Sequence, residues 1–562
     1  MRNLYLDIME LAINVYTHEN ILEYTDRVRQ KGVEEHGFTR LTANLGILIA
    51  NGRKTQYKDL FLEMMTLCCK SIPINKYTNP NHGNEFSVKE IILCLFEIEK
   101  SGIFSQDITK GWRADLSLIV PQDCYRVIVT DPTKIVGNWA AFGAASEQLR
   151  KKAGIGDCQD FIDLQVGSQV TRFDENGLYM EPGGHILYDI VTRLQLSALM
   201  FFGYDGKYCD ELDRQLIKGA YSALMYQSVT GEIPFGGRSN QFLFNEAALA
   251  STFEYAAGLY DQRGDCHTAG MFKDAAYFAA SKLYEYLQDA DFYHIKNKYH
   301  YDTKYGCEGY GYFNKYMATV ASFIYLGYVF ADDNIKPVSC PARVGGFINE
   351  LSPYYHKLFI NNGEYQVEYD TKANASYDAC GIGRIHKKDA PGAICLSVPF
   401  AKVPNYVIDE ENPSWLSLGS VAGQLSSDKT NYELMEKKVS KDGKFAEVTY
   451  QITLQNEDEE EVCFERCYVT PDYVELTVWS DQQDKENVIN IPVFQYDGKE
   501  NTEVNTEEKK VTVSYLGWKC IYDTDTKIED TGMVYRNRNG MYRLYRVKSL
   551  DAKAKLKIKI TK

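Results

Sequence analysis

Residues 173–206, FDENGLYMEPGGHILYDIVTRLQLSALMFFGYDG, decide how the rest of the chain is read, together with residues 230–247, TGEIPFGGRSNQFLFNEA. In each stretch a glycine-rich turn, PGG at 182–184 or PFGG at 234–237, opens onto an apolar segment of helical spacing. Helix follows loop follows helix, with no strand pattern between. Each loop also carries chemically active side chains: Tyr179, Glu181, His185, Tyr188 and Asp189 on the first, Arg238, Ser239, Asn240, Asn245 and Glu246 on the second. This is how a helical scaffold builds a site, since loops are free to converge while helices fix their roots.

Outward from this pair the same period recurs. Apolar residues return at three and four in Leu4–Val15, Leu41–Ile49, Leu60–Cys68, Val88–Ile98, Val136–Leu149, Ile186–Phe202, Leu216–Tyr226, Ala247–Leu259, Phe272–Leu287 and Met317–Val329, and more weakly in Ile108–Leu118 and Phe161–Val170. About twelve helices in residues 1–335 predict an α/α toroid of about six helical hairpins. A solenoid would need a fixed repeat, which is missing. At NIKPVSCPARVGG (334–346) prolines and glycines end the helical period. Residues 336–562 alternate apolar and polar instead, as in FAEVTYQITL (445–454). They predict short strands at Tyr365–Tyr369, Ile394–Val398, Phe445–Leu454, Val462–Val469, Tyr473–Val478, Val488–Phe494, Val511–Leu516, Cys520–Tyr522 and Leu556–Ile560. The expected fold is α+β: a helical toroid followed by an antiparallel β-sandwich. The charged run QNEDEEEV (455–462) reads as a solvated hairpin tip.

The chain has 562 residues, 44% hydrophobic and 25% charged, with a net charge of −15 that argues against nucleic acid or an anionic membrane as partner. Its 42 Tyr, 26 Phe and 5 Trp supply flat apolar faces with polar tips, suited to helix packing and to stacking on sugars. No apolar run is long enough to span a bilayer. The first twenty residues, with Asp7 and Glu10 inside the apolar run, read as an amphipathic helix and not a leader. The fourteen Cys show no framework spacing, and Cys463 and Cys467 share one face of a strand, so reduced thiols and a cytoplasmic protein are expected. No zinc-site spacing and no calcium loop is present, and no cofactor is expected.

The blocks GNWAAFGAASEQL (137–149), DENGLY…PGG…YD (174–189) and GGRSNQFLFNEA (236–247) resemble those of bacterial polysaccharide lyases and glucuronidases built on an α/α toroid with a C-terminal sandwich. They are nearest in flavour to L-rhamnose-α-1,4-D-glucuronate lyases and a related glucuronidase group. The G-H-x-H motif of the heparinase II/III type is absent. The resemblance implies an enzyme acting on uronate-containing oligosaccharides.

Uronate β-elimination needs a cation on the carboxylate, a base for the C5 proton and an acid for the departing oxygen. Arg238, whose planar fork matches both carboxylate oxygens, and Asn240 suit the first role. His185 and Tyr188, three apart, and His82 in NPNHGNEF (79–86) suit the others, with Asp189 and Glu246 as further catalytic candidates. Asn138, Trp139, Tyr179, Glu181, Ser239, Asn240 and Asn245 are expected to bind substrate, as are Tyr310 and Tyr312 of YGCEGYGYFNKY (305–316). His386, in CGIGRIHKKDAP (380–391), reads as a surface residue. The leading expectation is an exo-acting lyase. A glycoside hydrolase would instead pair two carboxylates from Glu85, Glu181, Asp189 and Glu246. A non-catalytic glycan-binding protein would need the aromatic residues without a converging His and Arg.

Overall fold

The computed structural model describes residues 1–74, 83–289, 294–409, 413–424 (422 and 423 by backbone only), 429–455, 460–482, 485–550 and 553–562. The helices of the N-terminal half are α1 (Arg2–Ile13), α2 (His18–Lys31), α3 (His36–Ala50), α4 (Lys58–Ile74), α5 (Asn84–Ser101), α6 (Gln106–Ser117), the single turn α7 (Pro121–Cys124), α8 (Trp139–Lys152), α9 (Gln159–Val170), α10 (Leu187–Phe201), α11 (Cys209–Leu224), α12 (Phe244–Asp261), α13 (Cys266–Leu287) and α14 (Phe313–Phe330). Six of them close a ring: α3 packs on α5, α5 on α8, α8 on α10, α10 on α12, α12 on α14, and α14 back on α3. Helices α1, α4, α6, α9, α11 and α13 pack against this ring from outside. This is the expected toroid of helical hairpins.

Position in the ring decides how much of each helix is covered. In α3 every residue but Ala50 is buried, whereas α6 buries only Thr109, Trp112 and Leu116. An inner helix has no face left for water, so its polar residues must find partners inside. Thus Asn44 Nδ2 donates to the Ala318 carbonyl at 2.9 Å, and Lys273 reaches Glu254 at 2.7 Å. Gly46 lets α3 and α4 approach: a Cβ there would lie 2.3 Å from the Phe61 ring. Helix α2 has no counterpart in the sequence reading. It buries only Ile21, Thr25 and Val28, too few apolar residues to show the period, and is fixed at its start by a capping box between Thr17 and Asn20.

Among the described residues the C-terminal half holds three antiparallel sheets. Strands Phe347–Glu350, Lys357–Asn361, Tyr365–Asp370 and Gly381–Lys387 pair in that order. The middle two are buried at every position. One face meets the helical half, where Phe235 N–H donates to Glu368 at 3.1 Å and Arg384 to the Ile233 carbonyl at 2.7 Å. The other face adds Leu358, Ile360 and Val367 to the β core. A strand covered on both sides loses its alternation, which is why Lys357–Asn361 and Gly381–Lys387 escape a period-two reading. Behind it stand an eight-stranded sheet and a four-stranded sheet containing Glu486–Tyr496 and Gly540–Leu550. Val448, Ile452 and Leu476 of the first meet Ile489, Ile491 and Val493 of the second in one apolar cluster, a sandwich packing.

Ile394–Val398 is not a strand: Gly392–Ile394 forms a 3₁₀ turn, and Leu396 makes a single bridge to Ile385. Of the expected hairpin tip, 456–459 lie outside the described residues, and the flanking strands pair with Gln455 opposite Glu460. The fourteen cysteines form no disulfide. Among the described residues no helix is long and apolar enough to cross a membrane, and no group of three His, Cys, Asp or Glu is placed to hold a metal.

Candidate functional site

A cavity of about 500 Å³ opens where the six inner helices begin. Their first two turns supply His36, Arg40, Phe86, Trp139, Phe142, Tyr188, Val191, Phe244, Lys315, Tyr316 and Thr319 to its wall. The connecting loops add Arg126, Asn138, Glu181, Arg238 and Tyr310. Six helix N-termini directed at one hollow present backbone N–H groups and the positive ends of their dipoles to it.

The two glycine-rich loops meet here. Arg238 N–H donates to His185 Nδ1 at 3.2 Å, and the Arg238 guanidinium reaches Glu181 Oε1 at 3.1 Å, where Asn138 Nδ2 also donates at 2.9 Å. The Ser239 hydroxyl bridges two phenols, Tyr188 at 3.1 Å and Tyr310 at 2.8 Å, while the Arg238 guanidinium lies 4.3 Å from the centre of the Tyr188 ring. This close approach needs an unusual backbone. Gly236, Gly237, Ser239 and Gln241 all have positive φ, and a Cβ on Gly237 would lie 2.6 Å from His185 Nδ1. Side-chain residues held at such angles cost of order 1–3 kcal/mol each and need surrounding structure to hold them there. The β half provides it: Asp378 accepts from Gly237 N–H at 2.9 Å, and Glu308 accepts from Ser239 N–H at 2.7 Å while itself gripped by Arg538 at 2.7 Å.

The cavity is cationic in an acidic chain: Arg40, Arg126, Arg238 and Lys315 stand against Glu181. Burial raises the Glu181 carboxyl, opposed by Arg238, and its Oε2 has no hydrogen-bond partner among the described residues. Burial also holds the Tyr188 and Tyr310 phenols above their usual range, so both keep their protons at neutral pH. His36 is neutral because burial, then Lys315 and Arg40, lower its pKa, and its Nδ1 has no hydrogen-bond partner among the described residues. His185 is lowered to about 4 by burial and by Arg238 and Arg538. With Nδ1 accepting from Arg238, its proton sits on Nε2.

Of the expected residues, Asn138, Trp139, Glu181, Tyr188, Arg238 and Tyr310 line the cavity, and Ser239 joins two of them. His185 stands behind the wall, holding the loop. Tyr312, 53% exposed, lines a neighbouring groove. Others are taken up by the scaffold. Asp189 is fully buried against Arg193 at 2.7 Å and the Tyr179 N–H at 2.7 Å, and the Tyr179 hydroxyl donates to Gln169 at 2.6 Å. Glu246 is bound by Lys296 at 2.7 Å. Asn240 donates to the Pro234 carbonyl at 3.0 Å and Asn245 to that of Ser239 at 3.3 Å, so both fix the loop's shape. Glu85 accepts the Val127 N–H at 2.9 Å from within the wall. His386 is not at the surface: it is buried between Ser228 and Ser397 at 2.8 and 2.9 Å. His82 lies outside the described residues. Four lining residues carry no signal of their own in the sequence: His36, Arg40, Arg126 and Lys315. His36 and Arg40 open α3, Arg126 lies in the connection between α7 and α8, and Lys315 lies in the first turn of α14; none of them stands on either of the two glycine-rich loops.

A closed ring of six inner and six outer helices, joined to antiparallel sheets, is the scaffold of the α/α-toroid polysaccharide lyases, the group the sequence blocks resemble. No family model and no curated protein matches the chain. Among solved structures, a chondroitin AC lyase variant from Streptomyces coelicolor A3 matches with a TM-score of 0.50 and 11% identity, over 100% of this chain and 82% of that one. A Paenibacillus xanthan lyase matches with a TM-score of 0.48 and 8% identity, over 93% of this chain. The chain spans about half, 53%, of that xanthan lyase. At 11% identity the likeness to the chondroitin AC lyase is one of fold.

Proposed function

We propose that this chain is a carbohydrate-active enzyme that cleaves uronate-bearing oligosaccharides by β-elimination at the mouth of its ring. The observation that carries this reading is the pairing of a cationic cavity with neutral proton carriers, the Tyr188–Ser239–Tyr310 chain and His36, around Glu181, the single lining carboxylate among the described residues. The Arg238 guanidinium, one third exposed, takes the uronate carboxylate and offsets the charge that builds as C5 loses its proton. His36, the one described histidine in the wall, accepts that proton. The C–H electron pair becomes the C4–C5 double bond, the C4–O bond breaks, and Tyr310 gives its phenolic proton to the departing oxygen. Ser239 relays a replacement from Tyr188, and solvent restores both ends. Trp139, edge-on to Phe86 and 4.7 Å from it, offers a sugar-stacking wall.

A hydrolase needs two carboxylates facing each other across the bond. Of Glu85, Glu181, Asp189 and Glu246, only Glu181 lines the cavity, which favours elimination. The test is a panel of uronate-containing oligosaccharides, followed by ultraviolet absorbance and product masses. The expected product is a 4,5-unsaturated uronate, with fragment masses that sum to the substrate. Fragments that together carry one extra water would establish the hydrolase instead, and tight binding without product the glycan-binding protein.

A further inference from the structure

A separate cavity of about 320 Å³ lies where the helical half meets the β half. Its volume falls at the lower end of the roughly 300–1,000 Å³ of small-ligand sites. It shares no described lining residue with the cavity at the ring's mouth, yet one loop serves both: Arg238 and Phe244 line the mouth, Glu232 and Gln241 line this one. Lys296 fastens the loop from this side, with its ammonium on Glu232 at 2.8 Å and Glu246 at 2.7 Å and its N–H donating to the Gln241 carbonyl at 2.9 Å. Tyr286, from the last turn of α13, stands on the helical side. Trp518, at a hairpin turn opposite Tyr515, and Asn539 come from the β half.

The charged groups of this cavity are matched with one another. Beside the Lys296 pair, Lys298 meets Asp289 at 3.3 Å and Lys282 meets Glu285 at 3.2 Å. Asp497 accepts the Tyr515 hydroxyl at 2.6 Å, and Asp389 is exposed. Three lysines face five carboxylates in the described lining, so an anion finds no free cation there. The groups left over are neutral. Gln241 and Asn539 are 0% and 3% exposed, and Gln241 Oε1 and Asn539 Oδ1 have no hydrogen-bond partner among the described residues. A buried acceptor without a donor is costly, so two of them in one lining point to a ligand that brings donors. Trp518, partly exposed, adds a flat apolar face and an indole N–H. We propose that this cavity is a second, non-catalytic binding site, for a neutral sugar whose hydroxyls donate to Gln241 and Asn539 while its ring lies on Trp518. Such a site needs neither the base nor the acid of the elimination.

The test is calorimetric titration of the full chain with glucose, galactose, rhamnose and lactose, and with putrescine as a cationic control. None of these probes carries a uronate, so the outcome is independent of the elimination reading. At least one sugar is expected to bind, and Trp518→Ala to weaken it about tenfold through the lost stacking face. Trp518→Phe, which keeps a ring without the indole N–H, is expected to lose about threefold, so the test stands if the alanine variant does not fold. Arg238→Ala, at the other cavity, should leave the affinity within about twofold. Binding of no sugar, binding of putrescine alone, an affinity that neither Trp518 variant lowers, or one abolished by Arg238→Ala overturns the proposal.

Discussion

At the scale of single residues, Arg238 is the cation whose removal tests the site most directly. It contacts Glu181, His185 and Tyr188 yet remains one third exposed, so its loss opens no large core void. Arg238→Ala is expected to lower kcat/KM by about 10²–10³, the usual loss for one charge-stabilising donor, with the thermal midpoint nearly unchanged. Arg238→Lys keeps the charge without the planar fork and should recover only part of the loss. His185 provides a prediction about pH. Its folded pKa, about 4, lies below that of a free imidazole, and His294, buried against the Gly311 carbonyl, is lowered to about 4 as well. A depressed folded pKa means that the unfolded chain binds the proton first. The stability each neutral ring contributes is complete above about pH 6.5 and is lost as pH falls toward 4. Urea unfolding midpoints are expected to drop over that interval, and less steeply in His294→Gln; an equal drop in the variant would assign the effect to other groups.

At the scale of elements, the first loop depends on a close approach to α11. Gly219 lies against Gly177: a Cβ at 219 would fall 1.8 Å from the Gly177 carbonyl oxygen and 2.2 Å from the Arg193 guanidinium. Backbone cannot yield as a flexible side chain can, so Gly219→Ala should cost about 1–3 kcal/mol and displace the loop that carries Glu181 and His185. Denaturant melts and turnover are expected to fall together. If activity is retained at reduced stability, the loop's position does not depend on this contact. The sequence shows the helices because their apolar period is local. It does not separate inner from outer ones, since inner helices such as α3 and α14 are covered all round, and that depends on which neighbours close over them.

At the scale of the whole molecule, the β half shapes the loop that forms the site. Arg538 comes from the hairpin turn before Gly540–Leu550, holds Glu308 in a fully buried pair, and so fixes the Ser239 N–H. Arg538→Gln leaves Glu308 uncompensated, with an expected stability loss of about 3–5 kcal/mol. As a positioning residue outside the cavity wall, it should lower kcat while leaving KM close to that of the wild type. Equal rises in KM would mean that it meets substrate directly. Nothing in residues 305–316 or 537–540 announces this link, because the partners are 230 positions apart.

By itself, the sequence determined the toroid-plus-β architecture, the change from helix to strand near residue 335, and the two loops that converge, because helical period, alternation and glycine turns act over a few residues. It also put Arg238, Tyr188, Ser239 and Glu181 in one place. Only the tertiary structure decided which charged groups are free for chemistry. Asp189 is consumed by Arg193 one helical turn away, a pairing visible in the sequence, whereas Glu246 is consumed by Lys296, fifty residues on. His36 and Arg40 join the site because ring closure brings helix starts far apart in the chain around a common hollow, and Arg126 because the connection before α8 crosses the same hollow. Which carboxylates are neutralised, and which cations stay available, follows from burial and pairing over long sequence distances, and no local pattern encodes that.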